Sequence, residues 1–169
     1  MPTNWEQQYR ETYEDLVRFL HRKVWDADRA HDLVQETFVR ALKHDPEHPR
    51  AFLFTIAANL ARDEARAAVR RKRHLELIKT ETGERADPGP EAGLEEEERQ
   101  AAVRHALESL SERDRDVLLL WDAGLSYPEI AEQAGLALGA VGTTLARARH
   151  RLVEAHEAAE GKAPDVARG

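Results

Sequence analysis

The sequence lacks several features that whole classes of protein require. It has no cysteine, which excludes disulfide bonds, thiolate zinc sites and cysteine nucleophiles. No apolar run approaches the length of a membrane span, and the first residues combine neither a basic segment nor an apolar core. The sequence also has no glycine-rich phosphate loop and no nucleophile set beside a base. We therefore expect a cytoplasmic protein that carries no export signal, does not insert into a membrane, binds no cofactor and is not an enzyme.

The histidines do not indicate a metal site. All eight are scattered along the chain. His44 and His48 are four residues apart, but Pro46 lies between them and Pro49 follows, so we do not expect them to share one metal-binding helical face. Exposed loop histidines are the ordinary explanation, and we expect no metal ligand.

The formal net charge of −7 is unevenly distributed along the chain. Residues 1–75 carry 14 Lys and Arg against 12 Asp and Glu, residues 76–112 carry 4 against 11, and residues 113–169 carry 7 against 9. The acidity is therefore concentrated in the middle, while basic stripes remain at the end of the first segment and in the last predicted helix. The acidic average does not exclude a nucleic-acid partner.

Apolar residues that recur every three or four positions predict a three-helix module over residues 1–75. The first helix covers residues 6–24, and Asp26 or Asp28 is suited to cap the second. Two prolines then interrupt the pattern, and Pro49 is suited to the first turn of a third helix that runs to about Arg73.

Helical periodicity fails over residues 76–98, where helix breakers and charge replace large apolar residues. We predict a linker there, with residues 79–93 flexible, and a second helical module over residues 99–160 before a disordered tail at 161–169. In that second module the segment from Ser111 to Asp114 resembles a capping box. No strand-like alternation appears, so the expected fold is all-α, with two small helical domains joined by a flexible acidic linker.

The segment from Leu125 to Leu152 has the spacing of a helix-turn-helix. Ser126 and Glu129 predict a capping box that starts a short helix, and Ala131 is small where another helix must cross closely. Gly135 is suited to end that helix in the left-handed conformation. The following helix is predicted to bury Val141, Leu145, Ala148 and Leu152.

One sector of this last helix, a quarter turn from its apolar stripe, combines small polar residues with cations. Its members are Ala140, Thr143, Thr144, Arg147 and Arg151. Such a face suits the DNA major groove. A plain helical hairpin with solvated arginines is the alternative, but the combined cap, alanine, glycine and valine placement favours DNA binding.

The second and third predicted helices each carry a polar face opposite their buried side. On the second helix this face comprises Asp32, Gln35, Glu36 and Val39. On the third helix one narrow sector contains Asn59, Arg62, Asp63, Arg66, Arg70 and Arg73. A cationic row of this length matches a phosphate backbone, although arginines solvated on an exposed helix would give the same pattern.

Two separate motifs resemble the extracytoplasmic-function group of sigma factors. Residues 32–42 (DLVQETFVRAL) and 49–63 (PRAFLFTIAANLARD) are similar to the conserved regions 2.2 to 2.4 of that family. Residues 125–132 (LSYPEIAE) and 145–149 (LARAR) are similar to its region 4.2. The resemblance implies a factor that binds bacterial core RNA polymerase and directs transcription initiation on promoter DNA. The parts of polymerase that it would bind are the clamp coiled coil of the largest subunit and the flap region. Many members of the family have an anti-sigma factor as a partner, so the resemblance also implies such a partner here.

The resemblance also implies roles for individual residues. Polymerase binding would fall to Asp32, Gln35, Glu36 and Val39. The melted minus-ten element would be bound by Asn59, which would line a pocket for a flipped base, together with Arg62, Asp63, Arg66, Arg70, Arg71 and Arg73. The duplex minus-thirty-five element would be bound by Ala140, Thr143, Thr144, Arg147, Arg149 and Arg151. Phe52 and Phe54 fall at positions that are aromatic in the family, where they could either stack on bases or fill the core.

The sequence departs from the family pattern in two places. The segment from Lys43 to Arg50 is shorter than the base-capturing loop of many relatives and contains no aromatic residue. Gly142 and Thr144 stand where relatives usually place Lys or Arg, so the resemblance implies shallower upstream specificity. Two other classes stay open: a stand-alone helix-turn-helix regulator, which leaves the faces of the first module unassigned, and an adaptor or anti-sigma protein, which would not need the cationic row.

Overall fold

The computed structural model describes residues 1–82 and 94–161, and these two ranges fold into seven α-helices and no strand. The helices are α1 (Trp5–Val24), α2 (Ala27–Ala41), α3 (Pro49–Thr82), α4 (Leu94–Glu108), α5 (Glu112–Asp122), α6 (Tyr127–Ala134) and α7 (Leu138–Gly161). They form two compact units, the first containing α1 to α3 and the second α4 to α7. The all-α expectation is confirmed.

The first unit is a three-helix bundle whose helix ends follow local capping rules. The side chain of Asp26 accepts a hydrogen bond from the Arg29 amide, so Asp26 rather than Asp28 is the N-cap of α2. Helix α1 ends at Val24, and its C-cap residue Trp25 adopts a left-handed conformation with φ of 57°. Such a backbone is unusual for a bulky residue, and the hydrogen bond from its amide to the His21 carbonyl holds it in place.

The core of the first unit comes from one apolar stripe on each helix. Its fully buried large side chains include Leu16 and Leu20 of α1, Val34 of α2, and Leu53 and Phe54 of α3. Burial of each such side chain stabilises the fold by roughly 1.5–3 kcal/mol. This core fixes which faces of α2 and α3 remain exposed.

Helix α3 extends well past the predicted end at Arg73 and reaches Thr82. Beyond Ala67 its residues up to Ile78 are exposed on every side, so packing does not sustain this part of the helix. Arg, Lys, Leu and Glu dominate there, and these residues have high intrinsic helix propensity. The helix therefore continues without the apolar periodicity on which the prediction relied.

The predicted linker at residues 76–98 is helical at both ends, because residues 76–82 belong to α3 and residues 94–98 belong to α4. Its central residues, 83–93, lie outside the described part of the chain. In the predicted tail, residue 161 still belongs to α7, and residues 162–169 also lie outside the described ranges.

The second unit contains the predicted helix-turn-helix as α6 and α7. Both halves of the capping box are present, with the Glu129 amide donating to Ser126 Oγ (3.3 Å) and the Ser126 amide donating to Glu129 Oε1 (2.9 Å). Gly135 ends α6 with φ of 64°, as predicted. Ile130 and Val141 are fully buried where the two helices pack. The local rules therefore set the turn that positions α7.

Candidate polymerase and nucleic-acid interfaces

The polar face predicted on α2 is exposed along its whole length. Its members Asp32, Gln35, Glu36 and Val39 are all exposed, whereas Ala30, Leu33, Val34, Thr37, Phe38 and Ala41 on the other side are buried. Val39 keeps 55% of its surface accessible although it is apolar. The face is therefore mainly polar, with one exposed apolar side chain among its charged and amide groups.

Neighbouring side chains hold the polar residues of this α2 face. Gln35 Nε2 donates to the hydroxyl of Tyr9 on α1 at 3.3 Å. Glu36 Oε1 accepts from Arg40 Nε at 2.9 Å within the same helix. The Tyr9 ring lies 4.9 Å from the Phe38 ring, which ties α1 to the buried side of α2. Sequence reasoning missed Tyr9, because nothing in its own helix indicates the residue it faces.

Helix α3 presents a basic face made of Arg62, Arg66, Arg70 and Arg73, all exposed. Asn59 and Asp63 are exposed in the same sector of the helix. The structure records no ion pair between Arg66, Arg70 or Arg73 and another described residue. These three guanidinium groups are therefore available to phosphate oxygens.

Arg71 was expected with the basic face but lies on another side of α3. Its Nη2 donates to Glu64 Oε1 at 3.0 Å, two helical turns earlier. Glu64 also accepts from Arg29 of α2, through Nε at 3.1 Å and Nη2 at 2.7 Å. Consecutive residues point about 100° apart around a helix, so Arg70 and Arg71 cannot share one face. Arg71 therefore shares the Glu64 carboxylate with Arg29 of α2 and lies outside the basic face.

The Glu64 carboxylate remains ionised despite its partial burial. Hydrogen bonding from Arg29 holds the pKa of Glu64 below its ordinary value, against the opposing effect of burial. Sequence analysis assigned no role to Arg29 or Glu64, because they are 35 residues apart and no local pattern connects them.

The two aromatic residues at the start of α3 have different environments. Phe54 is fully buried and packs edge-to-face against Phe19 with ring centres 5.3 Å apart. It therefore belongs to the core and is excluded as a base-stacking platform. Phe52 is only half-buried and lies beside His44, with ring centres 5.3 Å apart.

The connection between α2 and α3 is anchored to the start of the chain. Asp45 Oδ1 accepts hydrogen bonds from the amide (2.7 Å) and the hydroxyl of Thr3. These bonds lower the pKa of Asp45, because they favour the ionised carboxylate. The segment from Lys43 to Arg50 is thus tied at one point to residues that precede α1.

Helix α7 corrects one predicted DNA contact. Thr144 is 5% exposed and joins the buried stripe with Val141, Leu145 and Ala148, so it cannot reach a base edge. The predicted sector was centred too close to the apolar stripe, because the true stripe extends one residue further around the helix. Thr143 is exposed, and its hydroxyl donates to the Ala140 carbonyl at 3.1 Å.

The outer face of α7, opposite the buried stripe, consists of Gly139, Thr143, Ala146 and His150, with Arg147 at its edge. Sequence reasoning missed Ala146 and His150. The helical spacing of three, four and seven from Thr143 would have found them once the buried stripe was correctly centred. This face is the one that a helix-turn-helix presents to a DNA groove.

The arginines of α7 differ in their surroundings. Arg147 makes two hydrogen bonds to the buried carboxylate of Asp114 on α5, from Nε at 3.1 Å and from Nη2 at 2.8 Å. Arg149 stacks over the ring of Trp121, with its guanidinium carbon 5.0 Å from the ring centre. Arg151 is exposed. The Asp114 contact also revises the capping box predicted at Ser111, because Ser111 caps α5 but the Asp114 carboxylate bonds to Arg147.

Neither a metal centre nor a membrane-spanning helix is found among the described residues. No group of three or more His, Asp or Glu side chains in these ranges could hold a metal ion. Among the same residues, none of the helices is both long and apolar enough to cross a membrane.

Comparison with known proteins matches both units. The family model for Sigma-70 region 2 matches residues 8–71, and the model for Sigma-70, region 4 matches residues 100–152. The ECF RNA polymerase sigma factor EcfG of Rhodopseudomonas palustris is 39% identical over 75% of this chain and 71% of its own length. The RNA polymerase sigma factor YlaC of Bacillus subtilis is 33% identical over 87% of this chain and 88% of its own length.

Two solved structures share the fold. The sigma factor RpoE of Bartonella quintana, in complex with the anti-sigma factor NepR, has a TM-score of 0.64 and 25% identity over 91% of this chain and 97% of the other. CnrH, in complex with the cytosolic domain of CnrY, has a TM-score of 0.67 and 27% identity over 91% of this chain and 88% of the other. A stand-alone helix-turn-helix regulator does not account for the match over residues 8–71. The chain belongs to the extracytoplasmic-function sigma factors of the sigma-70 family, which are not enzymes but bind core RNA polymerase and promoter DNA to initiate transcription.

Proposed function

We propose that this sigma factor binds the clamp coiled coil of the largest polymerase subunit through the exposed face of α2. The observation that carries the proposal is the unbroken exposure of Asp32, Gln35, Glu36 and Val39 opposite a fully packed side. Contact with the flap region would fall to the second unit. The site of action proposed here is the cytoplasm, where core polymerase is found.

The test is binding of the full chain to core polymerase after Gln35→Ala and Glu36→Arg. The change alters polarity and charge on the α2 face without touching a buried residue, so helicity should be retained and affinity should fall at least tenfold. The matched control is Gln7→Ala with Glu11→Arg, because these residues have the same side chains on an exposed side of α1. Equal affinities for the two double variants would refute the assignment.

The basic face of α3 is proposed to bind promoter DNA near the start site, chiefly through phosphates, with Asn59 accepting a flipped base and Asp63 beside it. The support is the absence of ion pairs between Arg66, Arg70 or Arg73 and other described residues. Each lost phosphate contact lowers the log–log salt slope of binding by about 0.7 for single strands. Arg70→Ala should lower the slope of open-complex formation. Arg71→Ala is the matched control, and it should leave the slope unchanged because the Arg71 side chain points to Glu64. Equal slopes for Arg70→Ala and wild type would refute the proposal.

The outer face of α7 is proposed to read the upstream promoter element. Thr143 would lie against base edges at close approach, with the half-buried Ala140 at the margin of the face, Arg147 would reach a base, and Arg149 and Arg151 would contact phosphates on the two flanks. The support is the exposure of this face opposite the packed side of a helix-turn-helix. Initiation from promoters randomised at the upstream element tests it, and an unchanged preference after Thr143→Ala and Arg147→Ala together would refute it.

An anti-sigma factor is a further proposed partner. The supporting observation is that the Bartonella quintana relative forms a complex with the anti-sigma factor NepR. Co-purification from the native host under non-inducing conditions tests the proposal, with an inhibitor of promoter-dependent initiation as the expected product. A chain recovered only with polymerase subunits under such conditions would contradict it.

A further inference from the structure

Asp114 is the only charged residue that is buried among those the structure describes. It lies in the first turn of α5, where its amide donates to the capping hydroxyl of Ser111 at 3.1 Å. Its side chain is 3% exposed, yet it faces α7, the helix proposed to read DNA. An unpaired carboxylate in such a position is strongly unfavourable, so its partner determines what it does.

The partner is Arg147, which Asp114 contacts at two points. Nε and Nη2 of the guanidinium each donate to a different carboxylate oxygen, at 3.1 and 2.8 Å. Two parallel hydrogen bonds fix both the position and the plane of a guanidinium group. The Arg147 side chain is nevertheless 53% exposed. Asp114 therefore holds the Nε–Nη2 edge of the guanidinium, while the rest of the group stays accessible to solvent.

The unused donors of Arg147 form a second recognition edge. A guanidinium has five N–H groups, of which Asp114 takes two. The two hydrogens of Nη1 and the second hydrogen of Nη2 remain, and they lie at the end of the side chain away from the carboxylate. This Nη1–Nη2 edge can donate two parallel bonds, a pattern that matches O6 and N7 of guanine in the major groove.

The charges of the two groups also matter. The hydrogen bond from Arg147 holds the pKa of Asp114 below its ordinary value, so the carboxylate stays ionised at neutral pH. The paired groups carry no net charge together. Paired in this way, Arg147 should add little to the sequence-independent attraction between the protein and DNA phosphates. Its contribution to binding should come from the fixed direction of its remaining hydrogen-bond donors.

We propose that Asp114 is a positioning residue for promoter recognition, which orients the free edge of Arg147 toward a guanine of the upstream element. The inference rests on the proposed function, because it takes the edge of the outer face of α7 as a DNA-reading surface. Without the carboxylate, Arg147 would sample many rotamers and its charge would be uncompensated. Specificity should then fall while salt-dependent, sequence-independent affinity rises.

The experiment uses the full chain with core polymerase on promoters whose upstream element is randomised. Wild type should prefer guanine at one upstream position by about 5- to 150-fold, the range for one bidentate contact. Asp114→Asn and Arg147→Ala should both abolish the preference at that same position. Asp114→Asn should also steepen the log–log salt slope by up to about 0.9, because a freed cation gains a duplex phosphate.

Two further variants separate recognition from folding. Ser111→Ala removes the cap of the same turn but leaves the ion pair, so it should lower stability and keep the guanine preference. Arg147→Lys keeps a cation beside Asp114 but has no second edge, so it should lose the preference while the unit stays folded. A smaller folded fraction scales initiation from every promoter equally, and the preference ratio is therefore independent of it.

The outcomes distinguish the inference from the function on which it rests. A guanine preference that survives Arg147→Ala, or none in wild type, overturns the assignment of Arg147 to base reading and the inference with it. A preference lost in Arg147→Ala but kept in Asp114→Asn overturns the positioning role of Asp114 alone. An equal loss of the preference in Ser111→Ala and Asp114→Asn would show that it depends on the geometry of the first turn of α5 and not on the carboxylate, which also overturns the inference.

Discussion

Replacement of Glu64 by glutamine should weaken the contact between α2 and α3 and destabilise the first unit. Glu64 is the common acceptor for Arg29 and Arg71, and its side chain is only 13% exposed. Breaking a fully buried ion pair costs about 3–5 kcal/mol, whereas exposed pairs contribute about 0–1 kcal/mol. Arg29 is 42% exposed and glutamine retains one acceptor oxygen, so we expect an intermediate loss of about 1–2 kcal/mol.

Urea unfolding followed by tryptophan fluorescence measures this loss. The chain has three tryptophans, and Trp121→Phe in both proteins leaves Trp5 and Trp25 as reporters of the first unit alone. With a slope of about 2 kcal/mol per molar urea, in the middle of the usual range, the midpoint should fall by roughly 0.5–1 M and the slope should not change. The control is Glu6→Gln, which removes the charge of a largely exposed i,i+4 pair with Arg10 and should shift the midpoint much less than Glu64→Gln does.

The pH dependence provides an independent check. The pKa of Glu64 is lower in the folded protein than in the unfolded chain, so its charge stabilises the fold at pH values above the ordinary glutamate pKa. That contribution disappears as pH falls through the folded value. The difference between wild type and Glu64→Gln should be constant from neutral pH down to about 5.5 and shrink below about 4.3. Equal midpoints at neutral pH, or a difference that grows on acidification, would refute the reasoning.

Three further changes have defined expectations. Gly142→Ala should stabilise the second unit by up to about 1 kcal/mol, because the added Cβ would lie 3.8 Å from Tyr127 Cε2, an ordinary contact; a loss of stability in thermal unfolding would contradict this. Thr12→Val should stabilise the first unit by roughly 1 kcal/mol, since the buried Thr12 hydroxyl has no hydrogen-bond partner, and a lower urea midpoint would count against it. Limited proteolysis of the free chain should cut first between residues 79 and 93, as composition predicts, and protection of that segment would be the contrary result.

Features that depend on a few neighbouring residues could be predicted from the sequence. The Ser126 capping box, the left-handed Gly135 and the proline start of α3 are each specified within four residues. Amphipathic stripes belong to the same class, because the helical period is fixed and burial follows from it. These features were sufficient to give the all-α fold and the position of the helix-turn-helix.

The errors arose where the local pattern is ambiguous. Thr144 lies at the border of the α7 stripe, and a small residue there is compatible with either side of the helix until packing against a neighbour decides. The end of α3 was placed too early, because apolar periodicity detects only a helix that has a buried side. It cannot detect a solvent-exposed helix that forms because its residues have high intrinsic helix propensity. Arg71 was grouped with Arg70 by resemblance, although one step along a helix turns the side chain away.

Contacts between helices could not be predicted in principle from a single sequence. The pairs Asp15–Arg50, Arg29–Glu64 and Asp114–Arg147 join residues 33–35 positions apart. Each pair requires that two helices already be packed in a given register, and nothing in either helix alone identifies the partner. The roles of Asp114 and Glu64 therefore emerged only from the fold.

These pairs also explain how an acidic chain can bind a polyanion. In each of the three, a carboxylate compensates an arginine within one unit, so that arginine adds little to the field outside the protein. Arg66, Arg70 and Arg73 form no ion pair with a carboxylate of the described residues, and Asp63 in the same sector offsets only part of their charge. Since screening at physiological salt confines a charge's influence to about 8 Å, DNA placed against α3 as proposed would respond to this basic face and not to the net charge of −7. The sign of the net charge of the whole chain therefore does not predict its affinity for nucleic acid. The number of arginines on one face that are not paired with a carboxylate is the better guide.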